Sequence, residues 1–176
     1  MKRAVFLDRD GVINRAVVRA GRPYPPASAE ELEFLPRVAK AIEDLREAGF
    51  LLIVVTNQPD VATGVQGLEA VEAIHQRIRR ELRIDDIKVC YHSDRDNCTC
   101  RKPKPGMLLE AAAQWSLDLE QSFMVGDRWR DIGAGQAAGC KTILIRYEYD
   151  ERQAEGPDAV VNSLSEAGDL ILSGKI

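Results

Sequence analysis

The sequence predicts an α/β domain in which helices cover both faces of a doubly wound parallel sheet. Two observations lead to this prediction. Short apolar runs show no alternation with polar residues, which is typical of strands buried on both faces. Each run is followed by a longer segment whose apolar residues recur at the helical period. The chain of 176 residues has the length of one domain with one core, so we expect residues 1–176 to form a single domain.

The elements of the N-terminal half follow from this apolar pattern. Ala4–Leu7 and Leu51–Val55 are continuous apolar runs of strand length. Residues 37–48 and 68–82 place their apolar side chains on one helical face, which predicts two amphipathic helices. Ile87–Tyr91 is the third predicted strand.

The C-terminal half continues the alternation of strand and helix. The predicted strands are Phe123–Val125, Thr142–Ile145 and the short pair Val160–Val161. The predicted helices are 106–115, 131–138 and a last one from Leu164.

Two connecting segments carry local signals of their own. The proline-rich stretch Arg22–Pro26 predicts a loop. Ser28 with Glu31 three residues later has the spacing of a capping box and predicts a short helix.

Composition and charge exclude several classes of protein. Hydrophobic residues make up 45% and charged residues 30% of the chain, which is typical of a globular domain. The net charge of −4 and the scattered Lys and Arg residues argue against a nucleic-acid partner. The longest apolar run, Phe50–Val55, is too short for a membrane span, and the apolar run after Met1 is too short for a signal peptide. We therefore expect a cytoplasmic protein that binds neither nucleic acid nor membranes. We also expect a monomer, although none of these residues bears on the oligomeric state.

Acidic residues follow the predicted strands where each one ends. In chain order the strand ends are followed by Asp8-Arg9-Asp10-Gly11, by Thr56-Asn57-Gln58 and by Gly126-Asp127-Arg128, with Asp131 one helical turn further on. In an open parallel sheet, ligands bind at these carboxyl ends. Carboxylates that face one another need a cation between them, and oxygen ligands favour Mg²⁺, which shares its coordination with phosphate. Arg101 and Lys102 supply positive charges, so the sequence indicates phosphoryl chemistry.

Some of these residues allow other interpretations. Asp8-x-Asp10-Gly11 also resembles the start of a calcium loop, but the closing acidic ligand of such a loop would fall at Arg19. Asp131 fits either a direct metal ligand or a residue that caps its helix or supports the ligands.

Three of the four cysteines lie in one short segment. Cys90-x-His92-x₅-Cys98-x-Cys100 offers three thiolates and one imidazole, the ligand set of a closed tetrahedral Zn²⁺ site. Such a zinc ion would be structural and would fix the loop that leads into Arg101. The alternative is a set of unrelated reduced thiols. The other histidine, His75, borders the apolar face of its helix, where we expect a hydrogen-bonded or exposed side chain.

Four motifs taken together resemble those of the haloacid dehalogenase superfamily. They are Asp8-x-Asp10-Gly11, Thr56, Lys102 and Gly126-Asp127-x-x-x-Asp131. The resemblance implies a Rossmann-like fold and hydrolysis of a phosphomonoester through an aspartyl-phosphate on Asp8, with Asp10 as general acid and base. It implies Mg²⁺ held by Asp8, the backbone carbonyl of Asp10 and Asp127. Thr56 and Lys102 would contact the transferred phosphoryl group. We expect nearby anions to raise the pKa of Asp10.

Within this superfamily, the cysteine loop and the run Arg101-Lys102-Pro103 are similar to two related families. These are the D-glycero-D-manno-heptose 1,7-bisphosphate 7-phosphatases and the histidinol-phosphate phosphatases. The spacing of the motifs leaves no room for a large cap domain. The resemblance implies a small phosphorylated substrate, most simply a sugar bisphosphate, contacted by Asn57, Gln58, Arg101 and Arg128.

The chain departs from the heptose pattern where substrate would bind. Asp60 adds an anion after Gln58-Pro59, and Thr63 stands where the family usually has arginine. A histidinol-phosphate or other sugar-phosphate phosphatase is therefore an alternative. A catalytically silent phosphate-binding module is an alternative of another class, and a nucleic-acid end phosphatase is a third.

Overall fold

Six parallel strands form one sheet at the centre of the computed structural model, which describes residues 1–176. The strands are β1 (Arg3–Leu7), β4 (Phe50–Asn57), β5 (Asp86–Cys90), β6 (Phe123–Gly126), β7 (Lys141–Ile145) and β8 (Ala159–Val161). Their order across the sheet is β5-β4-β1-β6-β7-β8, and every neighbouring pair is parallel. After β1 the chain adds β4 and β5 on one side, and it then crosses to the other side of β1 to add β6, β7 and β8. The strand order therefore reverses between the neighbouring strands β1 and β6. This is the switch point at which doubly wound sheets bind ligands, and it confirms the predicted fold class.

Five helices cover the two faces of the sheet. They are α1 (Val38–Glu47), α2 (Leu68–Glu81), α3 (Gly106–Trp115), α4 (Trp129–Ala138) and α5 (Leu164–Leu172). Alternate residues of β1 divide between the two layers: Val5 and Leu7 join the core under α1, α2 and α5, while Ala4 and Phe6 join the core under α3 and α4. Both faces are thus buried, which is why the strands read as continuous apolar runs.

Two local predictions were wrong. The stretch around Arg22–Pro26 is not only a loop, because β2 (Val17–Arg19) and β3 (Arg22–Tyr24) pair as an antiparallel hairpin. Ala20 and Gly21 have φ values of 48° and 75°, which suit a two-residue hairpin turn. No helix follows Ser28: the backbone N–H of Ala27 donates to the Glu31 carboxylate at 3.4 Å, but the chain continues as turns, and Leu32 is buried in the core.

The connections between the strands position the site. The segment after β1 contains the hairpin and α1, and the segment after β4 contains α2, β5 and the cysteine loop, so neither carries a cap domain. No helix in the chain has the length and apolar character that a membrane span requires.

Candidate active site

The carboxyl ends of β1 and β4 open into a cavity of about 260 Å³. Asp8 and Asp10 line it from the β1 side, and Gln58 lines it from the β4 side. The β2–β3 hairpin covers one flank with Arg22 and Tyr24. Asp127 faces an adjoining cavity of about 580 Å³. The structure therefore brings the predicted acids of separate strands to one edge of the sheet.

Two glycines allow the acidic residues to approach one another. Gly11 has a φ of +87°, and a Cβ atom there would lie 2.0 Å from Oδ2 of Asp127. A Cβ atom on Gly126 would lie 2.1 Å from Cβ of Asp131. Neither position tolerates a side chain, because both approaches are far shorter than van der Waals contact. The glycines in the Asp-x-Asp-Gly and Gly-Asp motifs are thus required by close packing around the carboxylates.

Lys102 holds two of the carboxylates together. Its buried ammonium group donates to Oδ1 of Asp8 at 2.8 Å, to Oδ1 of Asp131 at 2.6 Å and to the carbonyl oxygen of Val55 at 2.7 Å. Burial opposes the positive charge, but Asp131 and Asp8 outweigh this effect and raise the pKa of Lys102. Lys102 is therefore a permanent cation with an acceptor for each of its three hydrogens.

Asp131 supports its neighbours through both carboxylate oxygens. Besides the contact of Oδ1 with Lys102, its Oδ2 accepts a hydrogen bond from the backbone N–H of Arg128 at 3.0 Å. Ligand oxygens of Asp8, Asp127 and Asp131 nevertheless lie within 4.8 Å of one another. Of the two interpretations of Asp131, these hydrogen bonds favour the supporting one.

Asp8 and Asp127 repel each other in a buried environment. Burial, followed by the neighbouring carboxylate of Asp131, raises the pKa of Asp8 to about 6 even though Lys102 counteracts this. Burial and then Asp8 raise the pKa of Asp127 well above its ordinary value. Burial and neighbouring carboxylates thus disfavour the ionised form of both side chains.

One oxygen of Asp127 is ready for a ligand. Its Oδ2 accepts a hydrogen bond from the Tyr149 hydroxyl at 2.8 Å, whereas its buried Oδ1 has no hydrogen-bond partner. A buried carboxylate oxygen without a partner is costly, and a divalent cation would satisfy it. Asp8 and Asp127 therefore fit the predicted Mg²⁺ site.

Asp10 points away from this pair of carboxylates. Its carboxylate accepts hydrogen bonds from Asn14 at 2.9 Å and from Gln58 at 3.0 Å, and it forms an ion pair with Arg9 at 3.0 Å. Burial acts to raise its pKa, but the Arg9 guanidinium and these hydrogen bonds outweigh burial and lower it. The expectation of a raised pKa was therefore wrong. The charge of the adjacent Arg9 outweighs that of the nearby anions.

The three residues at the end of β4 are held by hydrogen bonds. Gln58 is buried and donates through Nε2 to the Thr56 hydroxyl at 2.9 Å as well as to Asp10. The Asn57 side chain binds the backbone of Lys102 in both directions, each at 3.1 Å. These contacts fix the β4 end against the Lys102 loop and hold the Thr56 hydroxyl in place.

The predicted substrate-binding arginines have carboxylate partners. Arg101 donates through Nε to Oδ1 of Asp94 at 2.8 Å, and Arg130 donates to the same carboxylate at 3.1 Å. Arg128 forms an ion pair with Glu151, and this contact is the main cause of its raised pKa. Arg128 and Arg130 line the 260 Å³ cavity, while Arg101 lies beside the cysteine loop.

The cysteine loop brings all four predicted zinc ligands together. The Sγ atom of Cys90 lies 3.7 Å from that of Cys98 and 3.1 Å from that of Cys100. Nδ1 of His92 lies 3.6 Å from the Cys90 sulfur and 3.2 Å from the Cys100 sulfur. Ligands at about 2.3 Å from a tetrahedral zinc ion would be about 3.8 Å apart. The donor set and its spacing fit zinc.

Two supporting residues were missed by the sequence reasoning. Arg9 is fully buried, and its Nη1 lies 3.0 Å from Nε2 of His75, which is 1% exposed. Tyr149 is buried against Asp127. The sequence did contain a signal for Arg9: it stands between Asp8 and Asp10, and a cation next to two carboxylates is expected to pair with one of them. Nothing in the sequence placed Tyr149 beside Asp127. Of the two expectations for His75, a hydrogen-bonded or an exposed side chain, the structure shows the first.

The lowered pKa of His75 is expected to make the folded protein less stable in acid. Burial, and then the Arg9 charge, lower its pKa to about 4. An unfolded chain binds a proton near pH 6.5, so unfolding is favoured as pH falls from 6.5 to 4. We expect a loss of about 3 kcal/mol over this range, measured by urea unfolding. The His75→Gln variant, which has no titrating ring, should lose correspondingly less, and parallel curves for the two proteins would contradict the prediction.

Comparison with known proteins identifies the family. A family profile described as HAD-hydrolase-like matches residues 99–167. The D-glycero-beta-D-manno-heptose-1,7-bisphosphate 7-phosphatase of Rhodopseudomonas palustris is 39% identical over 148 residues, which cover 77% of this chain and 79% of that protein. The chain belongs to this family of haloacid dehalogenase-like phosphatases. The predicted resemblance is thus confirmed.

Other relatives match nearly the full length of this chain and of their own chains. The D-glycero-D-manno-heptose-1,7-bisphosphate 7-phosphatase of Thermosynechococcus vestitus is 34% identical and covers 96% of this chain and 94% of that protein. A crystal structure of D,D-heptose 1.7-bisphosphate phosphatase from B. bronchiseptica, complexed with magnesium and phosphate, has a TM-score of 0.83. That structure is 31% identical and covers 99% of each chain.

Proposed function

We propose that this phosphatase removes one phosphoryl group from a heptose 1,7-bisphosphate, at position 7, through an aspartyl-phosphate on Asp8. The observation that carries the chemistry is the grouping of the Asp8, Asp127 and Asp131 carboxylates at the switch point, with Oδ1 of Asp127 unpartnered and Asp10 lining the same cavity as Asp8. The substrate is inferred from the relatives, whose names specify heptose bisphosphate.

Mg²⁺ fits the buried carboxylates. Asp8, Asp127 and the backbone carbonyl of Asp10 would hold it, and the ion would neutralise charge on the phosphoryl oxygens. The neighbouring structure from B. bronchiseptica contains magnesium and phosphate, which supports this assignment.

The protein's own groups supply the nucleophile and the proton transfers. A carboxylate oxygen of Asp8 attacks phosphorus as the bond from phosphorus to the ester oxygen breaks, and the Asp10 carboxyl donates its proton to that oxygen. Water then attacks phosphorus, Asp10 accepts a proton from it, and Asp8 is released with inorganic phosphate. Because Arg9 lowers the pKa of Asp10 in the free protein, Asp10 is ionised and ready to accept a proton from water. A bound phosphate dianion would raise the pKa of Asp10, so that it could carry the proton for the leaving oxygen.

The remaining groups would orient the substrate. Thr56 and the amides after it would hold the transferred phosphoryl group, with Gln58 and Asn57 fixing their positions. Lys102 would exchange one of its three present contacts for a phosphoryl oxygen. The second phosphate of a bisphosphate needs a further cation, and guanidinium groups bind phosphate in a bidentate manner. Arg128 lines the cavity and would provide this contact. Arg101 pairs with Asp94 beside the cysteine loop and would have to leave that partner to join it.

A comparison of kcat/KM among candidate substrates tests the proposal. We expect kcat/KM with Mg²⁺ to be at least a hundredfold higher for one anomer of D-glycero-D-manno-heptose 1,7-bisphosphate than for histidinol phosphate or simple hexose phosphates. That preference equals about 2.7 kcal/mol of transition-state binding. Inorganic phosphate release measures it. A flat profile would refute the heptose assignment and leave the chemistry in place.

One observation favours histidinol phosphate as a second candidate. Asp60 lines the cavity, where its carboxylate would repel a second phosphate and attract the ammonium group of an amino alcohol phosphate. A histidinol-led profile that is lost in Asp60→Asn would support this candidate. A heptose-led profile that improves in Asp60→Asn would support the bisphosphate instead.

We further propose that Cys90, His92, Cys98 and Cys100 bind one structural zinc ion. Four protein ligands leave no open position for catalysis. The ion would fix the loop that leads from Cys100 into Arg101 and Lys102, and so the placement of both cations.

Zinc content provides the test of this site. We expect about one equivalent of zinc per chain by metal analysis, lost in Cys98→Ser together with a lower Tm, because binding energy at a structural zinc site is folding energy. Cys140→Ala is the matched control, since Cys140 is a buried core cysteine that does not belong to the group of four possible ligands, and its removal should leave zinc bound. A fully loaded Cys98→Ser protein would contradict the assignment.

A further inference from the structure

Arg9 is the largest side chain that is completely buried in this protein. Its Nε and Nη2 donate to the Asp10 carboxylate at 3.0–3.2 Å. Its Nη1 faces Nε2 of His75 on α2 at 3.0 Å. A buried guanidinium is costly unless its hydrogens are paired, so His75 satisfies a donor that is turned away from the cavity.

The chemistry of the pair fixes the state of the His75 ring. Guanidinium nitrogens only donate hydrogen bonds, so Nε2 of His75 accepts and its proton lies on Nδ1. Nδ1 lies 3.9 Å from Oε1 of Glu72. Glu72 in turn accepts a hydrogen bond from the hydroxyl of Tyr91. The ring is therefore neutral and is held at Nε2 by Arg9, whereas the 3.9 Å separation between Nδ1 and Glu72 is too long for a hydrogen bond.

Hydrogen bonds link Asp10, Arg9 and His75 into one buried group. A separate hydrogen bond joins Glu72 to Tyr91, and Glu72 lies 3.9 Å from the His75 ring. Tyr91 stands in the sequence between Cys90 and His92, two members of the cysteine cluster. His75 and Glu72 of α2 therefore lie side by side, one bound to Arg9 and the other bound to the segment that carries the cysteine cluster.

We propose that His75 is a positioning residue for hydrolysis, acting through Arg9 to fix the Asp10 carboxyl where it meets the leaving oxygen. The inference rests on the proposed acid role of Asp10. Without an acceptor at position 75, Nη1 of Arg9 would be buried and unpaired, and the guanidinium would turn to seek another partner. That turn would release the paired contacts to Asp10 and leave only those from Asn14 and Gln58.

The dependence on the leaving group separates positioning from a general structural role. Expulsion of an alkoxide needs a proton from the acid, whereas 4-nitrophenolate departs readily without one. The ratio of kcat/KM for an alkyl phosphate to kcat/KM for 4-nitrophenyl phosphate therefore reports on Asp10. Because kcat/KM covers only the steps up to loss of the leaving group, hydrolysis of the aspartyl-phosphate does not mask the effect.

Two substitutions at position 75 form a matched pair. His75→Leu removes the acceptor, and we expect it to lower the alkyl-to-aryl ratio at least tenfold. His75→Gln keeps an acceptor for Nη1 of Arg9, and we expect it to restore most of the ratio. Equal losses for the two esters in His75→Leu, or the same ratio in both variants, would overturn the proposal. If His75→Leu does not fold, His75→Asn, whose polar group is too short to reach Arg9, is judged by the same ratio.

Asp10→Asn, measured beside them, distinguishes this inference from the function on which it rests. If the ratio falls in Asp10→Asn but is unchanged in His75→Leu, the positioning role of His75 is refuted and the acid role of Asp10 stands. An unchanged ratio in Asp10→Asn refutes the acid role of Asp10, and the positioning role falls with it.

Discussion

Asp8→Asn is expected to reduce kcat/KM by at least about 10⁴-fold, the scale on which loss of a nucleophile acts. An amide oxygen cannot form the aspartyl-phosphate, and the Mg²⁺ site loses one of its charges. The fold should survive, because the Asn side chain still offers Lys102 an acceptor in place of Oδ1 of Asp8. Phosphate release from a heptose bisphosphate and from an aryl phosphate measures the loss.

Asp60→Asn is the matched control for this experiment. Asp60 lines the same cavity, so the charge change is the same, but it belongs to no part of the proposed phosphoryl site. Its effect on aryl phosphate hydrolysis should stay within about tenfold. An Asp8→Asn protein that keeps a tenth of the activity would remove Asp8 from the nucleophile role. A wild-type protein inert toward every phosphate ester would favour a silent binding module.

The sequence predicted the placement of the acids because that placement depends only on local pattern and topology. Apolar runs gave the strands, and parallel strands bring their carboxyl ends to one edge. Asp8 and Asp127 therefore had to meet once β1 and β6 were neighbours, and the structure has them as neighbours. The cysteine cluster was predictable for a similar reason, since its four ligands lie within eleven residues of chain.

The parts that could not be predicted depend on side-chain packing between distant segments. His75 is 66 residues from Arg9, and its helical pattern shows only that it borders the apolar face. The lowered pKa of Asp10 depends on that packing, because Arg9 is buried with one side against His75 and the other against the Asp10 carboxylate. The β2–β3 hairpin was missed because its strands have three residues each, too few to show alternation, and Pro23 weakens the strand signal.

Lys102→Met is expected to lower both activity and stability. The ammonium group is the only cation that contacts Asp8 and Asp131 together. Breaking a buried ion pair by removing one partner costs about 3–5 kcal/mol, because the remaining charges stay buried without compensation. Urea unfolding in metal-free buffer should show this loss. Lys104→Met, which removes an exposed amine two residues away, should change the free energy of unfolding by less than about 1 kcal/mol.

The pH dependence of Lys102→Met identifies the cause of the loss. Lys102 lowers the pKa of Asp8, which is still about 6 in its presence. Without Lys102 the pKa rises further, so Asp8 is protonated in the folded variant at pH 5 and ionised in the unfolded chain. Stability then falls as pH rises, and the variant should be closer to wild type at pH 5 than at pH 8. Asp131→Asn added to Lys102→Met should recover part of the stability at pH 8, because it removes one of the two uncompensated charges. A loss that is independent of pH and unaffected by Asp131→Asn would mean that Lys102 stabilises the site by packing rather than by charge.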